Sequence, residues 1–193
     1  MEVILDKSQG RRVMRIKAAA CTGLVVDIQE RLFPHMYDGE KLLGRVLILL
    51  EGLKALDIPI LVTEQYPKGL GTTLKPLSEV LEQVNAIEKI SFSCCGEPEF
   101  LALLNKEEKK WVILCGIEAH VCVLQTVIDL LDMGIIPVVV CDCVSSRNPE
   151  DKKVALERMR SEGAVITTSE SILFELAVVA GTPQFKQISR LVK

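Results

Sequence analysis

Three residues of this 193-residue chain could together perform nucleophilic chemistry: a carboxylate, Asp27, an ammonium, Lys89, and a thiol, Cys122. Asp27 closes the apolar run LVVD, and Lys89 ends the third such run. Cys122 follows the run WVILCGI and the turn residues Glu118-Ala119-His120. A thiol in the first turn of a helix faces unpaired backbone N–H groups and the positive end of the helix dipole, which favour the thiolate. A carboxylate partly withdrawn from water has a raised pKa, which suits it to accept a thiol proton. Each residue also has a plainer reading: Cys122 as a small core residue, Asp27 as a loop cap, Lys89 as a solvated lysine at a strand edge. On a helical wheel Cys122 falls beside Thr126 and Asp129, off the apolar stripe of Val121, Leu124, Val127, Ile128 and Leu131. Cys21, Cys115 and Cys141 lie inside apolar runs and read as core thiols.

The elements that must position these residues alternate along the chain. Short apolar runs cover Ala18–Asp27, Ile58–Thr63, Ala86–Ile90, Trp111–Ile117, Ile135–Cys141 and Ala164–Thr168. Most are continuously apolar, as expected for parallel strands covered on both faces. Helical patterns separate them at Glu40–Leu56, Leu74–Val84, Glu97–Asn105, Ala119–Met133, Pro149–Ser161 and Glu170–Ala180. Asn148-Pro149 opens one helix with a capping residue and a first-turn proline, and Gly134 and Gly163 act as stops. The alternation predicts an α/β fold: three αβα layers around a six-stranded, mostly parallel, doubly wound Rossmann-like sheet. In such sheets ligands bind beyond the carboxyl ends of the strands, where strand order reverses. Residues 1–17 read as an N-terminal extension and 18–193 as the domain.

Composition excludes several function classes. Lys+Arg 23 against Asp+Glu 26 gives a net charge of −3, which offers no general attraction for nucleic acid. One Trp, two Tyr and five Phe are too few for base-stacking platforms. No apolar run reaches the roughly 18–20 residues needed to span a bilayer, and the first stretch has no long apolar core typical of a signal peptide. Seven cysteines without such a signal suggest a reducing, cytoplasmic setting. Their spacings, with only two histidines, do not make a zinc clip. Mean hydropathy is +0.30. Together with the apolar segment Leu173–Ala180, this predicts a homo-oligomer.

The order Asp27 in VVDIQERLF, Lys89 in EKISFSC and Cys122 in CGIEAHVCV resembles the Asp-Lys-Cys triad of the isochorismatase-like cysteine hydrolases. VTEQYPKGLG, LLDMG, SSR and TTSESILFEL resemble the isochorismatase domain-containing protein subfamily, and the likeness runs from about Ala18 to the C-terminus. The resemblance implies the isochorismatase-like hydrolase fold, with Cys122 as nucleophile, Asp27 as general base and Lys89 as the partner of Asp27. It also implies a cis peptide between Ile117 and Glu118, and an oxyanion hole from the backbone N–H groups of Glu118 and Cys122. Nicotinamidases of the superfamily carry a metal site with histidines after the second strand. This chain has Glu64-Gln65-Tyr66 there, so no metal and no cofactor are expected. Isochorismatases that cleave a vinyl ether lack the cysteine.

The expected activity is therefore metal-independent hydrolysis of a small amide, carbamoyl or related substrate, at a C–N bond other than a peptide bond. Phe33, Tyr66 and Phe92 are pocket candidates, with ordinary packing as the alternative for each. The loop Lys68–Thr72 reads as a tight turn near the site, and Lys106–Lys110 as a solvated helix end. Two other readings are a non-catalytic oligomeric binding protein on the same fold and a metal-dependent nicotinamidase-like amidase.

Overall fold

The computed structural model describes residues 15–82, 85–107 and 109–193. Within them the apolar runs become strands β1 (Cys21–Val26), β2 (Ile60–Gln65), β3 (Ile87–Lys89), β4 (Trp111–Ile117), β5 (Ile136–Ser145) and β6 (Val165–Thr167). Every pairing is parallel and the order is β3-β2-β1-β4-β5-β6. The sheet is thus wholly rather than mostly parallel. The chain steps outward from β1 to β3, returns to the centre at β4 and steps outward again. Strand order therefore reverses between β1 and β4, and their carboxyl ends flank the crevice where such folds bind ligands.

The central strands read as unbroken apolar runs because helices bury both of their faces: every residue of β1 and of β4 is buried. Alternate side chains divide between two cores. Cys21 and Val25 of β1 and Ile113 and Cys115 of β4 pack with α1 (Gly39–Ala55), α3 (Lys75–Leu81), α7 (Ser169–Ala177) and α8 (Pro183–Leu191). Leu24, Val26, Val112 and Leu114 point the other way, toward α4 (Pro98–Glu107), α5 (Leu124–Asp132) and α6 (Pro149–Glu162). A period of two on a strand makes this division automatic. At Gly116, with φ +139°, an added Cβ would fall 2.2 Å from the Val26 carbonyl oxygen. Only glycine lets β4 approach β1 so closely there.

Helix punctuation follows the expected chemistry. The Asn148 side chain accepts from the Glu150 amide ahead of α6, and Gly163 closes that helix at φ +118°. Several limits differ from the sequence reading. β5 continues past Cys141 to Ser145 through a register irregularity, with Leu114 opposite Val139 but Gly116 opposite Val144. Asp142 and Cys143 therefore lie within the strand, not beyond it. The segment Leu173–Ala180 is not one exposed apolar surface: Leu173 and Leu176 are core, while Val178 and Val179 are exposed. The helical pattern there stops at Ala177, and a further helix, α8, begins at Thr182-Pro183. Thr182 Oγ1 accepts from the Phe185 amide, and Phe174 and Phe185 meet with ring centroids 5.9 Å apart.

The Lys68–Thr72 loop contains a short helix, α2 (Pro67–Leu70). Of the proposed extension, residues 1–14 lie outside the described residues, but Ile16 is buried in the core and its amide donates to Glu175 Oε1 at 2.8 Å. The expected end of the third helix at Val84 and part of the Lys106–Lys110 run also lie outside the described residues.

Candidate active site

Asp27 stands just past β1, and its backbone turns into the left-handed region at φ 53°. Aspartate tolerates this conformation better than most residues, and such outliers concentrate where a side chain must be aimed. The Asp27 carboxylate is wholly buried. Oδ2 lies 2.7 Å from Lys89 Nζ, and Oδ1 accepts from Thr63 Oγ1 at 2.8 Å. Thr63 is held opposite Val26 by the β1–β2 register, which brings the hydroxyl beside the turn.

Lys89 is not a solvated strand-edge lysine. Its side chain is fully buried, and besides its ion pair with Asp27 its ammonium donates to Gln65 Oε1 at 2.6 Å, Ser91 O at 3.1 Å and Phe92 O at 3.0 Å. A desolvated ammonium survives only when acceptors surround it. Gln65 and Gln29 fix one another across the strand ends. The Gln65 amide donates to Gln29 Oε1 at 2.8 Å, while Gln29 Nε2 donates to the carbonyls of Gln65 and Gly71. This pairing ties the α2 loop to the turn that carries Asp27.

Cys122 arrives from β4. The Ile117–Glu118 peptide is cis, and a π-helical turn at Ala119–Val123 precedes α5. The wider π turn shifts the phase of the helix, so the expected stripe is rotated. Its inward face carries Cys122, Val123, Thr126, Val127 and Leu130, whereas Val121, Leu124, Ile128 and Leu131 are only half-buried. The Cys122 thiol is electrostatically coupled to both the Asp27 carboxylate and the Lys89 ammonium. Thr126 Oγ1 donates to the Cys122 carbonyl at 2.7 Å and accepts from the Cys94 amide at 3.0 Å, which pins the turn to the loop after β3. Acid, ammonium and sulfur therefore do meet in one buried cluster.

The electrostatics run opposite to a helix-dipole thiolate. Burial first, and then the adjacent Asp27 carboxylate, push the Cys122 thiol above its ordinary value. Burial also raises Asp27, against the lowering pull of Lys89. Burial thus disfavours the charged form of both groups, so the site does not favour a resting thiolate at Cys122. A second thiol adjoins the cluster. Cys94 Sγ sits 3.6 Å from Thr63 Oγ1, and burial raises its pKa to about 11.

Glu118 is buried, and its carboxylate accepts from the Arg147 amide at 3.0 Å and from Arg147 Nε at 3.1 Å. The pocket candidates separate. Tyr66 and Phe92 are 51% and 53% exposed at the strand ends beside Lys89. The Tyr66 amide donates to the Lys89 carbonyl, and the Phe92 carbonyl accepts from Lys89 Nζ. Phe33 instead lies in a short turn and packs beside Gly39 at the start of α1. Gln29 and Gln65 stand just past apolar runs, where the sequence places ligand contacts, whereas Thr63, Thr126 and Cys94 were not singled out from sequence. The available signal was a polar residue ending an apolar run, as Thr63 does in IPILVT. Where a metal site would need free donors after β2, both Thr73 contacts, from its amide at 2.6 Å and its hydroxyl at 2.7 Å, fall on Glu64 Oε1, and the Gln65 amide bridges Lys89 and Ile90.

The isochorismatase domain model matches residues 22–171. A secreted isochorismatase effector of Phytophthora sojae is 40% identical, with 96% of this chain and 90% of that protein covered. Isochorismatase domain-containing protein 2 of Danio rerio is 37% identical over 92% of this chain and 89% of its own. Among solved structures, one described as MAR1 ribonuclease from Caenorhabditis elegans is 39% identical. It superposes with a TM-score of 0.88, covering 93% of this chain and 92% of that one.

Proposed function

The chain belongs to the isochorismatase hydrolase family, and on that premise we propose that it is a metal-independent cysteine hydrolase of a small amide, carbamoyl or related carbonyl compound. The observation that carries this reading is the buried cluster at the crevice between β1 and β4, in which Lys89 Nζ lies 2.7 Å from Asp27 Oδ2 and both groups act electrostatically on the Cys122 thiol. Cys122 Sγ attacks the substrate carbonyl carbon while its proton passes to Asp27. The backbone N–H groups of Glu118 and Cys122 receive the oxyanion, where one such donor typically contributes about 10²–10³ in turnover. Collapse of the tetrahedral adduct breaks the C–N bond. Asp27 returns the proton to the departing nitrogen and leaves a thioester on Cys122. Asp27 then takes a proton from water, the hydroxide adds to the thioester carbon and the C–S bond breaks, and Asp27 returns its proton to the departing sulfur as the acid product leaves. Lys89 pairs with the Asp27 carboxylate and holds it in place. The commitment of Glu64 to Thr73 and of Gln65 to Lys89 supports a reaction without a metal.

The test is turnover of a panel of small primary amides and carbamoyl compounds by the wild type and by Cys122→Ala, with acid-quenched samples analysed by mass spectrometry. A substrate whose turnover falls at least about 10³-fold in the variant, and whose acyl mass appears on Cys122, is the expected result. Equal turnover by both proteins would remove the nucleophile. The C. elegans relative is described as a ribonuclease, so a single-stranded RNA belongs in the panel. RNA cleavage that survives Cys122→Ala would place activity outside this cluster. Turnover of nothing in the panel would favour the binding-protein reading.

We also propose that the chain forms a homo-oligomer. Tyr66, Ile90 and Phe92 at the site and Val178 and Val179 after α7 expose apolar surface of the kind subunits cover. Light scattering that finds only monomer at micromolar concentration would end that proposal. Among the described residues no helix is long and apolar enough to cross a membrane.

A further inference from the structure

One strand over from the catalytic cluster, a cavity of about 430 Å³ opens between the start of α1 and the first turns of α6. That volume falls in the usual range for small-molecule sites. Its outer side is open because β6 pairs only with Val138–Val140, so the carboxyl half of β5, paired with β4 on one side, has no strand on the other. The wall is apolar at Leu42, Val144 and Leu156 and charged at Asp38, Lys41, Asp142 and Lys152.

The charges are not evenly compensated. Asp142 accepts from the Ser169 amide at 2.8 Å and the Ser169 hydroxyl at 2.6 Å, and lies 3.9 Å from Arg45. Asp38 faces Lys41 across 4.0 Å. Lys152 is half-buried, and no described carboxylate comes within 4.0 Å of its Nζ. Desolvation holds its ammonium below the ordinary value against the opposing pull of Cys141 and Asp142, and the like charge of Lys41 adds to the lowering. A partly desolvated cation without a paired anion is stabilised by any anion that enters beside it.

We propose that this cavity is a second small-molecule site, separate from the catalytic cluster. It takes an organic anion with a short alkyl body, whose charge rests on Lys152 and whose chain lies along Leu42, Val144 and Leu156. Charge and apolar wall together fit an alkyl carboxylate better than a bare inorganic ion.

Cys141 lines the same cavity and is half-buried, so its alkylation reports occupancy. Hexanoate, hexylamine and hexanol serve as chain-matched probes. Each is added to the intact protein before iodoacetamide, and labelling of Cys141 and of Cys122 is read by peptide mass spectrometry. Hexanoate is expected to slow labelling of Cys141 while leaving Cys122 unchanged, with hexylamine and hexanol giving little protection. Lys152→Met should weaken the hexanoate effect roughly ten- to a hundredfold, the usual range for losing one charged contact, and Lys152→Arg should keep it. Equal protection by all three probes, no protection, protection of Cys122 instead, or an undiminished effect in Lys152→Met would each overturn the proposal.

Discussion

Lys89 and Lys152 are both withdrawn from water near the carboxyl edge of the sheet, and the fold treats them oppositely. Lys89 is buried completely and surrounded by a carboxylate, a side-chain amide and two backbone carbonyls, all within 3.1 Å. Lys152 is half-buried beside a cavity, where it feels Asp142 electrostatically but no described carboxylate comes within 4.0 Å of its Nζ. A full set of oxygens fixes an ammonium in one geometry, which suits a group that must hold the Asp27 carboxylate still while its proton moves. An incomplete set leaves the charge available to something from outside. The number of partners, more than the depth of burial, separates a structural charge from a binding charge.

The largest expected effect comes from breaking the first of these sites. Lys89→Met leaves the Asp27 carboxylate buried without its counter-charge and should cost about 3–5 kcal/mol of folding stability. Lys152→Met should change stability by no more than about 0.5 kcal/mol, as for other partly exposed positions without a paired charge. Urea denaturation of both variants measures the contrast, and similar losses would erase the distinction. Replacing both members, Asp27→Leu with Lys89→Met, should recover much of the stability while abolishing turnover, because it removes the orphaned charge along with the pair.

A second test concerns acid. Burial outweighs Lys89, so Asp27 keeps its proton to higher pH in the folded than in the unfolded chain. Between the unfolded value, 3.8, and the raised folded one, the native state binds the extra proton. The contribution of this group to stability therefore falls as pH rises through that window and returns on acidification. Activity changes in the opposite direction, because the base must be ionised. The acid limb of kcat/KM should lie above 3.8 and move upward by about one unit or more in Lys89→Gln, which removes the lowering pull. A limb at or below the ordinary carboxylate value, or one indifferent to Lys89, would remove Asp27 as the base.

Much of the frame was legible in the sequence because it rests on local signals. Uninterrupted apolar runs marked β1, β4 and β5, while Asn148-Pro149 and Gly163 marked the ends of α6. Asp27, Lys89 and Cys122 stood out because polar residues at the ends of buried strands are few. The surroundings of Lys89 were not legible. Its four oxygens come from Asp27, Gln65, Ser91 and Phe92, two of them as backbone carbonyls that no residue type announces. The rotated face of α5 was hidden for a related reason: a regular helical wheel cannot register the extra residue of the π turn at Ala119–Val123. α8 was missed although Thr182-Pro183 carries a helix-start signal.

A smaller effect should follow from loosening the carboxylate without removing its charge. Thr63→Val deletes the hydroxyl that donates to Asp27 Oδ1 and keeps the shape of the side chain. A hydrogen bond to a charged group is worth about 1.5–3 kcal/mol. Stability should fall within that range and the acid limb should rise, because one of the bonds that lowers the Asp27 pKa is lost. A change in stability with no movement of the limb would make Thr63 a packing residue only.

The smallest change tests partner counting away from any catalytic group. Thr22, on β1, is fully buried, and its Oγ1 has no hydrogen-bond partner among the described residues. By the reasoning applied to the two lysines, a polar atom in that position contributes only its desolvation cost, and no geometry depends on it. Thr22→Val replaces the hydroxyl with a methyl group of similar size, keeps the β-branched shape that suits a strand, and faces the same apolar neighbours as Leu24 and Val26. Stability should rise by about 1 kcal/mol, with kcat/KM unchanged. A loss of similar size would mean that the Thr22 hydroxyl has a bonding partner in solution, and depth of burial would then have to be weighed again beside partner number at Lys89 and Lys152.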